Sequence, residues 1–548
     1  MVITKIDARQ LKDMFIAGAK RLDSRKDEIN ELNVFPVPDG DTGTNMTMTI
    51  MSAVKEVEAT DEPTMENLAK AISQGALRGA RGNSGVILSQ LFRGFTRAVK
   101  KFDCIDKTCA PDAFKRASET AYKAVMKPKE GTILTVARGM SEKAQDIFEA
   151  TDDMAEALRQ IIEYGNYMLS LTPEMLPVLK QAGVVDSGGK GLMTILEGAY
   201  DKLMGVETDE EREEEPQEEL PAYGYCTEFI LMMDRPMTGK EEKEWKDYLS
   251  SIGDTLVCAA DKNIVKVHVH TDNPGLVLEE ALKHGSLSSI KVENMKEEHH
   301  ETLFEDSEKL SRLQKEEEEN KEKQQQAPPK DVGFIAVAMG SGLKEIFEGL
   351  GVDFVVEGGQ TMNPSTADIL DAVEKVNART VYVMPNNKNI ILAAQQAVEL
   401  CSDKHVIVIP SKNVPQGIAA VINYCEGMSD EDNTEAMTEG MAAVKSAQVT
   451  FAVRDTTIDD KQVHQGDIMG ISDAGLAVVG RDLDQTVLDT IATMTDSDSE
   501  IITIYYGSDV KEEDAQALQA MVMDKYTGCD VELHKGGQPI YYYIISVE

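Results

Sequence analysis

A chain of 548 residues is long enough for about three domains with cores of their own. Its formal charge of −40 at pH 7 argues against nucleic acid or an anionic membrane as a direct partner, and a polyphosphate could be held only with divalent cations between it and the carboxylates. Seven unpatterned cysteines argue against a disulfide framework. No apolar run approaches roughly 18 residues and the N-terminus (Met-Val-Ile-Thr-Lys-Ile-Asp) has no secretory character, so the expectation is a cytoplasmic protein with no integral membrane segment.

Residues 8–30 predict one helix, with Leu11, Phe15, Ala19 and Leu22 on one face. The stretch Asn33-Val34-Phe35-Pro36-Val37-Pro38-Asp39-Gly40-Asp41-Thr42-Gly43-Thr44-Asn45-Met46 follows. Its prolines stop the helix, Asp39 and Asp41 bring two carboxylates into one small volume, and Met46, Met48, Ile50, Met51 and Val54 open the next helix. Clustered carboxylates at a helix N-terminus can hold a hard cation, while the N–H groups and dipole there favour phosphate. An Asx-capped turn is the plainer alternative, but capping needs only one of these side chains.

Further helical patterns run through 65–77, 84–101, 111–126, 133–150, 153–170, 173–183 and 189–204 with hardly a strand signal, which predicts an all-α domain over 1–205. Residues 206–222 carry a dense acidic run from Glu207 to Glu219 and read as a solvated linker. From 223 to 300 a small α/β domain is expected, with strands at 225–231, 264–270 and 287–293 and helices near 239–250 and at 275–283. Residues 301–330, rich in Glu, Gln and Pro, read as a second linker. Residues 331–548 alternate strands (353–356, 379–384, 405–409, 448–453, 500–505) with helices (342–349, 366–376, 388–400, 415–424, 433–444). That predicts an α/β fold with a largely parallel sheet, whose loops at 358–365 and 384–388 fall at strand C-termini, where such sheets bind ligands.

Several groups could serve phosphoryl transfer. Asp39 and Asp41 can ligate metal, Thr44 and Asn45 can reach phosphate oxygens or a metal-bound water, and Asn83-Ser84-Gly85 offers N–H donors and a hydroxyl at a helix start. Taken alone, Gly-Asn-Ser-Gly is an ordinary cap, and Glu130-Gly131-Thr132 and Asp186-Ser187-Gly188-Gly189 are no more specific. No histidine precedes His268, which leaves Arg78, Arg81 or Arg138 to neutralise developing charge and suits an already ionised carboxylate acceptor better than an alcohol. Cys226, His268 and His270 fall on two strands. They read either as a Zn2+ set or as a buried cysteine with two exposed strand histidines.

The loop resembles the metal loop of the nucleotide-binding subunit of dihydroxyacetone kinases, where Gly-Asp-Gly-Asp-x-Gly-Thr-Asn-Met holds two Mg2+ ions bridging the phosphates of ATP. Arg81-Gly82-Asn83-Ser84-Gly85 and Asp186-Ser187-Gly188-Gly189-Lys190-Gly191 agree in order and spacing. The longer Asn-Val-Phe-Pro-Val-Pro-Asp-Gly-Asp form and the layout of the whole chain are similar to the ATP-binding catalytic subunit of bacterial fatty acid kinase. The resemblance implies an antiparallel eight-helix barrel with ATP at its mouth, contacted by Thr42, Gly43, Thr44, Asn45, Asn83, Ser84, Gly85, Thr132, Asp186, Ser187 and Gly188. It implies two Mg2+ ions on the catalytic pair Asp39 and Asp41; where the kinases have a third aspartate this chain has Val34 or Asn33, and Asn33 is the candidate third magnesium ligand through its amide oxygen. It further implies a fatty acid presented by a DegV-like fatty-acid-binding protein, a docking surface on the C-terminal domain and a homodimer. The related kinase chains also carry Cys and His-x-His in the middle domain, in keeping with zinc. Two other readings remain: a kinase of a small hydroxy compound such as dihydroxyacetone, and a non-catalytic nucleotide-sensing scaffold.

Overall fold

The computed structural model describes residues 2–34, 40–60, 62–206, 225–233, 245, 248–249, 252–261, 264–294, 328–359, 362–452, 456–458 and 461–548. Met1–Glu211 and Pro329–Glu548 form one compact unit and Arg212–Pro328 a second. Of the predicted linkers, residues 207–222 and 301–327 lie outside the described residues, as does most of the helix expected near 239–250, while Lys330 at the end of the second already begins a strand.

The chain opens with β1 (Ile6–Asp7) and α1 (Ala8–Ser24), which a reciprocal capping box between Asp7 and Gln10 starts. The helix expected over 8–30 breaks at Arg25 (φ −113°), and α2 (Lys26–Glu31) continues in a new direction. Then come α3 (Thr42–Glu58), α4 (Met65–Gly79), α5 (Gly82–Val99), β2 (Cys104–Ile105), α6 (Ala110–Ala124), α7 (Ile133–Ala150) and α8 (Met154–Ser170). The helix expected over 173–183 is two short pieces, α9 (Thr172–Met175) and α10 (Pro177–Ala182), because Leu176 is extended before Pro177; α11 (Ser187–Leu203) closes the domain.

Among the described residues eight helices of at least 15 residues close a ring. α1 packs on α3, and the series runs through α4, α5, α6, α7 and α8 to α11, which returns to α1. Their inward faces merge in one core that includes Leu22, Met46, Ile50, Leu88, Leu134, Phe148 and Met193, all almost fully buried. β1 and β2 form a two-stranded antiparallel clip that periodicity is too short to reveal.

In the second unit, β3 (Tyr225–Met233), β4 (Gly253–Asp261), β5 (Ile264–Thr271) and β6 (Gly285–Asn294) make an antiparallel sheet in the order β4-β5-β3-β6, with α12 (Pro274–Ala281) over Phe229, Leu231, Val267 and Val269. β4 had no counterpart among the expected strands.

The C-terminal region holds two larger sheets. β7 (Lys330–Ala338), α13 (Ser341–Gly349), β8 (Phe354–Glu357), α14 (Thr366–Lys375), β9 (Ala378–Met384), α15 (Ile391–Leu400), β10 (His405–Val408), α16 (Val414–Ile422) and α17 (Asp430–Ala443) build a parallel sheet ordered β10-β9-β7-β8. The remaining elements are β11 (Lys445–Phe451), β12 (Thr456–Ile458), β13 (Lys461–Val463), β14 (Ile468–Ser472), β15 (Gly475–Gly480), α18 (Leu483–Met494), β16 (Ile501–Tyr506), α19 (Glu512–Lys525), β17 (Asp530–Lys535) and β18 (Tyr543–Val547). The second sheet is ordered β15-β14-β11-β18-β16-β17, and only β16 and β17 run parallel. The largely parallel sheet expected for 331–548 therefore describes only its first half. A tight turn after Ser472 folds β15 back on β14, and β18 enters antiparallel to both β11 and β16. Parallel neighbours need a long crossover, and here α19 supplies one only between β16 and β17.

The helical ring and the parallel sheet share a core. Ala80 and Val86 pack among Ile369, Ala393 and Ala397, and Gln396 on α15 donates to the Leu77 carbonyl (2.7 Å) while Gln90 Nε2 reaches its Oε1 (3.3 Å). Within the ring α5 and α6 approach closely at Gly94, where a Cβ would lie 2.2 Å from the Arg116 carbonyl oxygen and 2.6 Å from Ala117 Cα. Backbone atoms cannot yield as a side-chain end can. Gly94→Ala should therefore force α5 from α6 and cost about 1–3 kcal/mol, seen as a lower unfolding midpoint, despite alanine's better helix propensity.

Candidate active site

Four helix N-termini meet at one end of the ring. Thr42, the first residue of α3, donates its hydroxyl to Asn33 Oδ1 (2.7 Å), and the hydroxyl of Ser187, the first residue of α11, reaches the same oxygen (3.5 Å) and Thr42 Oγ1 (3.3 Å). Gly82 begins α5 with φ +57° against Asn45 of α3, and a Cβ there would sit 2.6 Å from the Asn45 amide nitrogen. Asp186 caps α11 by accepting from Gly189 N (2.7 Å), and the Ile133 backbone at the start of α7 bonds the same carboxyl. Their aligned N–H groups and positive dipole ends thus converge where a polyphosphate could be received.

The side chain of Asp41 makes no cap on α3 although it occupies the N-cap position. Asn30 of α2 does that work: its Oδ1 accepts from Thr44 N (3.1 Å) and its amide donates to Thr44 Oγ1 (3.0 Å). Gly43 lets α2 come this close, since a Cβ would lie 2.1 Å from the Lys26 carbonyl oxygen. The Asp41 carboxylate instead accepts, at Oδ2, a 2.7 Å bond from the amide of Asn363, in the loop after β8. The same amide nitrogen lies 3.4 Å from Asn45 Oδ1. Asn363 is 2% exposed, and its own Oδ1 is buried with no partner among the described residues.

The C-terminal region closes on the site elsewhere too. Arg81 donates to the Asn363 carbonyl (2.8 Å) and pairs with Asp368 (3.3 Å), Asn83 donates to Asn389 Oδ1 (2.9 Å), and Thr366 N donates to the Ala80 carbonyl (3.1 Å). The loops predicted to face a ligand at the C-terminal ends of β8 and β9 thus face this end of the ring.

Most of the predicted residues come together. Thr42, Gly43, Thr44, Asn45, Asn83, Gly85, Asp186, Ser187 and Gly188 lie on the converging helix starts, and Ser84 lies in the first turn of α5. Thr132 is the N-cap of α7 but turns its hydroxyl to the Lys129 carbonyl (2.9 Å). Asp39 lies outside the described residues. Asn33, expected as a magnesium ligand, is 2% exposed, and with Thr42 and Ser187 on its amide oxygen it ties α3 to α11. Arg138 is likewise committed elsewhere, to both Glu130 oxygens at 2.7 Å each, while Arg81 serves the domain contact. Asn30, Asn363 and Asn389 were not anticipated. Only Asn363 carried a signal, as part of a loop at a strand C-terminus.

The donor set fits a divalent cation with a nucleotide. It offers a carboxylate spared from capping, a buried amide oxygen beside it with no partner among the described residues, and four converging helix starts. In the second unit the register sets Cys226 opposite His270 and Glu228 opposite His268. Their side chains lie outside the described residues, and among the described residues no group of three His, Cys, Asp or Glu could hold a metal ion, so nothing here supports zinc.

Three family matches cover nearly the whole chain. Residues 36–201 match the DAK2 domain, 222–302 the FakA-like middle domain and 333–548 the FakA-like C-terminal domain, the latter two being parts of the A-like chain of fatty acid kinase. "Protein YloV" of Bacillus subtilis (strain 168) is 41% identical over 567 residues, covering 100% of both chains. The chain belongs to the FakA-like family of fatty acid kinases. An uncharacterized protein of Staphylococcus haemolyticus is also 41% identical, over 562 residues and 100% of both chains. Among solved structures, the dihydroxyacetone kinase from C. freundii in complex with AMP-PNP and Mg2+ covers 35% of this chain and 33% of its own at 13% identity and a TM-score of 0.28. The fatty-acid-binding DegV of Bacillus subtilis covers 40% of this chain and 99% of its own, at 10% identity and a TM-score of 0.32. Likenesses of that extent carry no functional weight. The family is one of kinases, and no described helix of this FakA-like chain is long and apolar enough to cross a membrane.

Asp186 makes the electrostatics testable. It is fully buried, and loss of solvation lifts its pKa to about 6 against the partial relief of the Gly189 and Ile133 backbone bonds. A raised folded pKa means that the folded chain holds the proton more tightly, so this group's cost to stability grows as pH rises from about 4 to about 6 and is complete above that. The shift corresponds to about 3 kcal/mol. Asp186→Asn keeps a cap oxygen without the charge. It should raise the unfolding midpoint of the nucleotide-free chain at pH 8, with the gain fading as pH falls toward 4, followed by calorimetry across that range.

Proposed function

We propose that the chain is an ATP- and Mg2+-dependent kinase subunit that phosphorylates the carboxylate of a fatty acid held by a separate DegV-like fatty-acid-binding protein, giving an acyl phosphate. The observation that carries this reading is the Asp41 carboxylate, excused from capping and set among four converging helix N-termini. Family membership supports the kinase part and names the fatty acid; the carboxyl acceptor rests on the chemistry below.

Phosphoryl transfer asks the protein for positioning and charge stabilisation more than for covalent chemistry. Asp41, together with Asp39, would hold Mg2+, which when bound neutralises charge on the phosphates. The starts of α3, α5 and α11 would offer backbone N–H groups to phosphate oxygens, and the Thr44 and Ser84 hydroxyls stand in those first turns. Asp186 keeps the α11 turn in shape through Gly189 N. The helical domain contains no histidine, and a fatty acid carboxylate needs no base to become nucleophilic at neutral pH. Part of the C-terminal surface is spent against the helical ring, so a docking carrier would use faces of that region left outside this contact. A homodimer belongs to the same proposal.

Purified chain, labelled ATP and a fatty-acid-loaded carrier should give carrier-dependent ATP turnover and an acyl phosphate that hydroxylamine traps. Asp41→Ala should lower that turnover by on the order of 10²–10³-fold while leaving the fold intact. Turnover of free dihydroxyacetone without carrier would replace the fatty acid by a triose. Undiminished turnover in Asp41→Ala would remove the assignment of the site.

A further inference from the structure

We infer that the nucleotide site is bipartite: Asn363, from the C-terminal α/β region, is a positioning residue that orients the Asp41 carboxylate for the divalent cation. This rests on the reading of Asp41 given above and adds to it a second source of the site, more than 300 residues away in sequence.

The geometry assigns the two ends of the amide different tasks. Nδ2 donates to Asp41 Oδ2 at 2.7 Å and lies 3.4 Å from Asn45 Oδ1, and these two acceptors fix which end of the amide is the nitrogen. A charge-assisted bond to one carboxylate oxygen selects a rotamer, and that rotamer sets the face which the carboxylate presents to a cation. Oδ1 then faces a buried environment with no partner among the described residues, a state that costs free energy unless a donor arrives. A water on the bound cation is such a donor. The amide is itself anchored: Arg81, at the start of α5, donates to the Asn363 backbone carbonyl at 2.8 Å and pairs with Asp368 of α14 at 3.3 Å. Ser365 caps α14 two residues further on through a reciprocal box with Asp368. The loop that carries Asn363 is therefore pinned to the ring on one side and to a helix start on the other. Cation binding at Asp41 and seating of the C-terminal region become coupled.

The test uses the full chain and reads binding of AMP-PNP while MgCl2 is titrated, alongside nucleotide affinity in EDTA and the unfolding midpoint. Asn363→Ala, and the nearly isosteric Asn363→Leu in case the first variant packs poorly, should weaken the Mg2+ dependence by about 10–100-fold, with affinity in EDTA changed less than about twofold. In an Asp41→Ala background neither substitution should have further effect. Gln396→Ala loosens the same domain contact away from Asp41 and should leave the Mg2+ dependence near that of the unaltered chain. An equal loss in Gln396→Ala would reduce Asn363 to general packing and overturn the inference, as would tighter Mg2+ binding in either Asn363 variant, which would mark the contact as a latch. If Asp41→Ala abolishes Mg2+-dependent binding while the Asn363 variants match the unaltered chain, only the positioning role falls. If Asp41→Ala leaves Mg2+-dependent binding intact, the reading of the site falls with it.

Discussion

The site depends on a transfer of capping duty. An aspartate at a helix N-cap ordinarily turns inward to satisfy its own first-turn N–H groups, and a carboxylate so used has little left for a cation. Here the break at Arg25 swings α2 across the start of α3, so that Asn30 meets Thr44 and performs the capping from outside. Gly43 is the condition for that approach, because any side chain would strike the Lys26 carbonyl. A local backbone accommodation thereby decides the chemistry of Asp41.

A second constraint is electrostatic. The chain is strongly acidic, yet the converging helix starts concentrate partial positive charge at one end of the ring. The nearby arginines do not add to it directly: Arg138 is bound by Glu130 and Arg81 by Asp368 and the Asn363 carbonyl. In the proposed reading, phosphate recognition would rest on fixed backbone dipoles and on a cation at Asp41. Fixed dipoles need no reorganisation when charge moves in a transition state, which is where such preorganisation is most effective. Asp186 makes the same point from the other side. Its burial is unfavourable by itself, and the α11 turn that it shapes is held at that expense.

Much of this was legible in the sequence, and for physical reasons. The helices of the ring are long and amphipathic, so a period of 3.6 residues locates them to within a few positions, and the Pro-x-Pro and Asp-Gly-Asp punctuation marks the loop. The strand pairs β1–β2 and β12–β13 are too short for periodicity to register. Of the second, mostly antiparallel sheet only β11 and β16 were anticipated, because its strands, at five to seven residues, alternate imperfectly and its pairing is largely non-local. The site residues on helix starts came from the resemblance of their motifs to those of the dihydroxyacetone kinase subunit, since each motif alone reads as an ordinary cap. Asn30 and Asn363 did not, because each acts through tertiary contacts, and a lone asparagine in a helix or loop looks the same whether it is engaged or solvated.

The placement of Asn363 also bears on why the chain is arranged as it is. Residues 212–328 form a unit of their own, inserted between the two halves of another compact unit. Had the C-terminal region been a separate body on a tether, its ligand-facing loops would be open to solvent. Instead Ala80 and Val86 of the ring are buried among Ile369, Ala393 and Ala397, so the two halves share apolar core as well as polar contacts at the site. Burial of that kind is difficult to undo without exposing both surfaces, and the amide–carboxylate bond from Asn363 joins the same two regions at the Asp41 carboxylate itself. The apolar contact therefore fixes where the C-terminal region sits, and the polar one lets that region sense what is bound at Asp41. A site divided in this way gives the C-terminal region a physical means of influencing nucleotide chemistry without touching the acceptor.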